Sequence, residues 1–180
     1  MRESRKIIRN TALAAILAAL IVVMLVAGGV FDLFDLLVVS VCSLVLHVVI
    51  VEMGAKWSFL IYAVSSALTF ILLPFATTTL YFVSFFGYYP VLRRFVYARI
   101  KSKKIAVLLM FLWYSAVMAA LYTVFKTLFG VEGEPPAMIA LLYGSAAVFY
   151  LAFELLMSRI IILYALKIRP RLFGKKGNRK

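Results

Sequence analysis

A chain of 180 residues that is 66% hydrophobic, with a mean hydropathy of +1.06, holds too few polar residues to cover a water-soluble surface. Its 20 Lys and Arg against 7 Asp and Glu give a net charge of +13, but these basic residues lie between apolar runs and so read as topology signals, not as a nucleic-acid surface. The single cysteine, Cys42, excludes an internal disulfide and a cysteine-built metal cluster, and the alternating segments of a membrane β-barrel are absent.

The class that remains is an all-α polytopic membrane protein, read as one integral membrane domain over residues 1–180 with a basic cytoplasmic tail at 166–180. A helix needs about 20 apolar residues to cross a hydrocarbon core of roughly 30 Å. Six such segments run from about 11–29, 34–51, 57–73, 75–92, 105–130 and 137–165. The breaks between them fall at Gly28-Gly29, Met53-Gly54, Pro74, the basic run after Leu92 and the stretch "GVEGEPP".

The first segment opens on "TALAAILAAL" behind a basic leader, "MRESRKIIRN". Its apolar run is longer than the core of a signal peptide, so it is read as a retained helix. At 100° per residue, Leu13, Ile16, Leu17 and Leu20 fall on one side. Ala12, Ala15 and Ala19 form one small-residue row, and Ala14 and Ala18 form a second about 110° away. Small residues four apart let helix backbones approach closely in lipid. One row suffices for packing within the chain, and the other is then open to a partner; alternatively both are covered internally.

Asp32 and Asp35 precede the second segment with the spacing of an N-cap and a third-position acid. His47 follows within that segment, where a neutral imidazole bonded to a backbone carbonyl competes with a charge-pairing role. In the fourth segment, "LYFVSFFGYYPVLRRF", Pro90 removes a helical donor and Gly87 permits close approach. That combination fits either a hinge or a static kink. Tyr88 and Tyr89 lie where an interfacial aromatic belt is expected. Lys126, one turn after Tyr122, either snorkels to the surface or meets an acidic ligand.

Glu154 is a carboxylate within the sixth apolar run, roughly 25 Å from that segment's start. A buried charge calls for a partner, and the candidates are His47, Arg93 and Arg94. Counted by loop, 19 of the 20 basic residues fall on alternate sides of the segments, and the other loops hold only Lys126. Positive loops stay cytoplasmic, which predicts six crossings with both termini inside. No zinc helix, phosphate loop or nucleophile-and-base set is present. "YGSAA" around Ser145 has only a distant likeness to an intramembrane protease. The chain is therefore read as a non-enzyme without a cofactor or metal.

Six helices in about 180 residues, with "TALAAILAAL" on the first and "GGVFDLFDLL" at the outer turn, resemble the S component, or substrate-capture subunit, of energy-coupling factor (ECF) transporters. The resemblance implies a multi-pass protein of the plasma membrane, here a prokaryotic inner membrane. It implies docking to a transmembrane coupling subunit driven by two ABC-type ATPases, through Ala14 and Ala18 or through Ala15 and Ala19. It further implies capture of a vitamin or metal ion near the outer side. The residues available there are Tyr81, Ser84, Tyr122, Lys126, Tyr143, Ser145 and Tyr150, whose aromatic walls suit a flat organic nutrient better than a metal. The competing reading is a membrane scaffold of similar fold that recruits partner membrane proteins.

Overall fold

The computed structural model describes residues 2–31, 34–100, 102–129 and 136–168, and every element among them is helical. Helix α1 spans Arg2–Phe31, α2 Asp35–Glu52, α3 Ala55–Leu72, α4 Thr77–Tyr81, α5 Tyr89–Arg99, α6 Lys103–Phe129 and α7 Pro136–Leu163. A π-helical turn, Phe82–Phe86, joins α4 towards α5, and another, Tyr164–Ile168, extends α7. Five helices are long and apolar enough to cross a bilayer: Ile7–Phe31, Asp35–Glu52, Ala55–Leu72, Lys103–Thr127 and Tyr143–Leu163. The protein is thus membrane-embedded and helical. It divides into two compact units, Met1–Glu132 and Gly133–Lys180.

In the first unit, α1 packs chiefly on α3 and also meets α2 and α4. Ala14, Ala18, Ile21 and Leu25 are its buried stripe, at alternating steps of four and three residues. The facing stripe of α3 is small and polar, with Ser58, Ile61, Ser65 and Thr69 buried. In a membrane the hydrophobic effect does not press one helix on another, so close approach and hydroxyl hydrogen bonds do that work. Ser58 Oγ donates to the Leu46 carbonyl at 3.0 Å, Ser65 Oγ to that of Ala18 at 3.4 Å, and Thr78 Oγ1 to that of Leu25 at 3.3 Å. Each such bond contributes about 0.6 kcal/mol on average. Cys42 is fully buried in α2.

Several helix ends differ from their sequence expectation: α1 begins at Arg2 and not near Thr11, and α5 carries the helix through Arg93 and Arg94 to Arg99, past the break expected after Leu92. Gly28-Gly29 does not break α1, which runs on to Phe31. The pair instead admits close neighbours. A β-carbon on Gly28 would lie 3.1 Å from Thr78 Cγ2 and from Val38 Cγ1, and one on Gly29 would lie 2.8 Å from Thr78 Oγ1. Glycine signals a stop in water-soluble helices, but in lipid it equally marks a packing contact. Helix α2 is capped by Phe34 without a side-chain bond, so Asp35 is its first residue, not its third. The favourable interaction of Asp35 with the positive helix end survives that shift; Asp32 lies outside the described residues. The break at Gly54 is confirmed, at φ 99° and ψ 167°, a region that only glycine adopts readily.

The fourth segment departs most from a simple helix. Gly87 N donates to the Phe82 carbonyl at 2.8 Å, one residue further back than in an α-helix. The Val83 carbonyl thereby loses its usual donor, and Tyr62 OH of α3 supplies one at 2.9 Å. A β-carbon on Gly87 would overlap the Tyr62 ring and stand 2.9 Å from the Phe82 oxygen, so glycine is required by space. Pro90 sits in the first turn of α5, where a missing N–H costs nothing. The departure from α-helical register belongs to the π turn and to Gly87, not to the proline. Phe82, Phe85, Phe86 and Tyr89 are all but fully buried there, and Phe85 meets Tyr89 and Tyr114 at ring-centroid distances of 5.2 and 5.0 Å. Tyr89 is thus a core residue and not part of an interfacial belt. Tyr88 is half-buried; it donates to the Ser84 carbonyl at 2.6 Å and accepts from Trp113 Nε1 at 3.1 Å.

Candidate functional site

The alanine-rich start of α1 resolves into one used face and one unused face. Ala14 and Ala18 are each 6% exposed, and the Ser65 hydroxyl reaches the Ala18 carbonyl. Ala12, Ala15 and Ala19 are exposed, as are Leu13, Ile16 and Leu20 beside them. Of the four predicted docking residues, Ala14 and Ala18 therefore belong to the chain's own packing. Ala15 and Ala19 lie on a smooth outward strip over which another helix backbone has room to approach.

The predicted ligand-binding residues are spread over both units. Tyr81 and Ser84 are half-buried on α4 and its π turn, and the Ser84 carbonyl is engaged by Tyr88. On α6, Tyr122 is half-buried and Lys126 exposed. In the second unit Tyr143 and Ser145 are exposed on α7, and Tyr150 is buried. Four of the seven thus belong to one unit and three to the other. Glu154, 4% exposed, also lies on α7, whereas His47 and the two arginines proposed to pair with it are in the first unit.

A site that the sequence does not bring together lies in the first unit, at the turn between α2 and α3. There a cleft of 680 Å³ is lined by His47 and Gly54 on one side and by Arg93, Arg94 and Tyr97 of α5 on the other. Helical spacing explains the α5 contribution. Arg93 and Tyr97 are four residues apart on one face, with the guanidinium carbon 4.8 Å from the ring centroid. His47 is 7% exposed, and its Nδ1 has no hydrogen-bond partner. In the sequence His47 reads as a buried polar residue and Arg93 and Arg94 read as topology signals, and all three read as alternative partners of Glu154, not as neighbours of one another. About 46 positions separate the histidine from the arginines along the chain, and no periodicity joins the two.

A second cleft, of 350 Å³, runs between α5 and α6 and is lined by apolar groups such as Leu92, Met110 and Trp113. Neither cleft includes the seven predicted ligand-binding residues. Among the described residues no group of three His, Cys, Asp or Glu is placed to hold a metal. No family model, no curated protein and no solved structure matches the chain.

Proposed function

We propose that the chain is a membrane-embedded substrate-binding subunit of an importer of the ECF type. It docks a transmembrane coupling subunit through the Ala12, Ala15 and Ala19 face of α1. The observation that carries this reading is the division of labour on that helix: one small row is packed on α3, and the other stands open. The captured molecule is a small, flat, aromatic or hydrophobic nutrient such as a vitamin. The candidates to hold it are Tyr81, Ser84, Tyr122 and Lys126 in the first unit and Tyr143, Ser145 and Tyr150 in the second.

In this reading the chain crosses a prokaryotic plasma membrane six times, with both termini cytoplasmic. Residues 77–99 supply the remaining crossing. Their helical pieces abut, and Gly87 and Tyr88 between them also keep right-handed helical backbone, at φ −71° and −93°. The distribution of 19 of the 20 basic residues supports the orientation. ABC-type ATPases act on the coupling subunit and not on this chain.

The test is co-purification with a coupling module, followed by identification of any small molecule retained. Ala15→Leu/Ala19→Leu is expected to abolish association while the chain stays folded and monodisperse. Association unchanged by the leucine pair refutes the docking face. Docking that persists while no small molecule is ever captured favours the scaffold instead, since the same exposed strip serves a recruiting protein equally well.

A further inference from the structure

We propose that the cleft between the C-terminal end of α2 and α5 binds a phosphate group presented at the membrane surface, held by His47, Arg93 and Arg94. Four independent features converge there. Two guanidinium groups line the cleft and, among the described residues, no carboxylate does, which favours an anionic ligand. His47 is more than nine-tenths buried yet its Nδ1 is unsatisfied. In a native structure such a group calls for a ligand or water, and a neutral imidazole protonated at Nδ1 donates to an anionic oxygen.

Gly54 contributes backbone. It lines the cleft as the N-cap of α3, whose first turn has no side-chain cap. A β-carbon at Gly54 would meet nothing within 4 Å, so the approach is unobstructed. The negative end of α2 lies at the same turn, but the amides of Met53 and Gly54 already bond the Val49 carbonyl, at 2.8 and 3.2 Å, and soften it. Finally, the Arg93 guanidinium carbon lies over the Tyr97 ring, 4.8 Å from its centroid. A cation–π contact of that kind restrains the guanidinium and so positions its N–H donors. Ile50 and Val51 add apolar wall beside the charged groups. That wall suits the glycerol region of a phospholipid, although the phosphate chemistry is shared with a soluble phosphate.

The experiment uses the full chain in phosphate-free detergent, titrated with dioctanoyl phosphatidic acid, inorganic phosphate and dioctanoylglycerol. Saturable binding of a phosphate-bearing ligand is expected, about tenfold weaker in Arg94→Gln and unchanged in Arg99→Gln. Arg94 is exposed, so its replacement is tolerated by the fold. Equal affinity for inorganic phosphate identifies a soluble source; preference for the lipid identifies a headgroup. His47 is the only histidine, so its imidazole resonance is a unique reporter and should move on binding. The proposal is overturned if neither phosphate ligand saturates, if dioctanoylglycerol binds equally, if Arg94→Gln and Arg99→Gln give the same result, or if the His47 signal stays still.

Discussion

Gly87→Ala is the sharpest perturbation of the first unit, because two effects of opposite sign meet at one methyl group. In an unobstructed helix the change would stabilise by up to about 1 kcal/mol through backbone entropy. Here the new methyl group overlaps the Tyr62 ring and crowds the Phe82 carbonyl. Overpacking of that kind costs about 1–3 kcal/mol. If the ring moves aside, its hydroxyl leaves Val83, at a cost of about 0.6 kcal/mol and at most about 1.7. The ring also loses its packing on Phe59, Phe82 and Tyr88, now at 5.8, 5.9 and 5.9 Å, where each pair contributes about 0.5–1.5 kcal/mol. The unfavourable terms win, and a net destabilisation of about 2 kcal/mol follows. Reversible unfolding in mixed micelles, followed by tryptophan fluorescence, measures it. Trp113 donates to Tyr88 and so reports on this region. In a Tyr62→Ala background the methyl group is freed from the ring but still stands 2.9 Å from the Phe82 oxygen, so the cost should fall without vanishing. A stabilised Gly87→Ala, or an equal cost in both backgrounds, would refute the packing argument.

The two faces of α1 predict an asymmetry: Ala18→Leu should destabilise by about 1–3 kcal/mol by prising α1 from α3, whereas Ala15→Leu should stay within about 0.5 kcal/mol. The same unfolding assay decides, and equal effects would show that the rows are not distinct. Gly54→Ala should cost about 1–3 kcal/mol although the added methyl group touches nothing, because the backbone conformation alone resists it. Gly54→Asn should cost as much, and a neutral result for both would sink the backbone account. Cys42 should react with a maleimide only in step with unfolding, as mass spectrometry across a detergent titration can follow; rapid labelling of the folded chain would contradict its burial.

The helical class was legible because it rests on the strongest membrane signal, unbroken apolar length; the basic run after Leu92 marked a boundary too early, since α5 runs on to Arg99, and the stretch "GVEGEPP" lies, but for Pro136, outside the described residues. Gly54 and Pro74 were correctly read as boundaries, since one demands a left-handed backbone and the other forbids continuation of α3. Gly28-Gly29 misled for a physical reason. The same missing side chain that weakens a helix in water lets Thr78 and Val38 approach α1 in lipid. The wheel separated the two alanine rows of α1, but amphipathic logic could not say which was covered, because both neighbours of a membrane helix, lipid and protein, are apolar. That choice needed the serines of α3. Tyr88 and Tyr89 adjoin in sequence but point into different surroundings, so position near a basic loop could not separate core from belt. The His47 cleft was not legible because His47, Arg93 and Arg94 read as alternative partners of Glu154, and no periodicity places them beside one another.

Whether residues 77–99 form a hinge or a fixed bend follows from where their freed backbone groups go. Irregular backbone at membrane depth is tolerated only when protein or water satisfies it. Here the shift into π register is paired on each side. Gly87 N reaches back to Phe82, Tyr62 OH takes the Val83 carbonyl, and Tyr88 OH takes that of Ser84. Phe82, Phe85 and Phe86 then anchor the turn in the core. A hinge would need at least two conformations with comparable pairing, but returning the turn to α-helical register strands the Tyr62 hydroxyl. The bend is therefore static, and Tyr62 is its latch. Tyr62→Phe keeps the ring and removes only the donor to Val83. Hydrogen exchange across 82–88 should then accelerate about threefold, the equivalent of about 0.6 kcal/mol, while the α1 stripe from Ala14 to Leu25 keeps its protection. Exchange across 82–88 that is already fast in the unmodified chain, and indifferent to Tyr62→Phe, would restore the hinge.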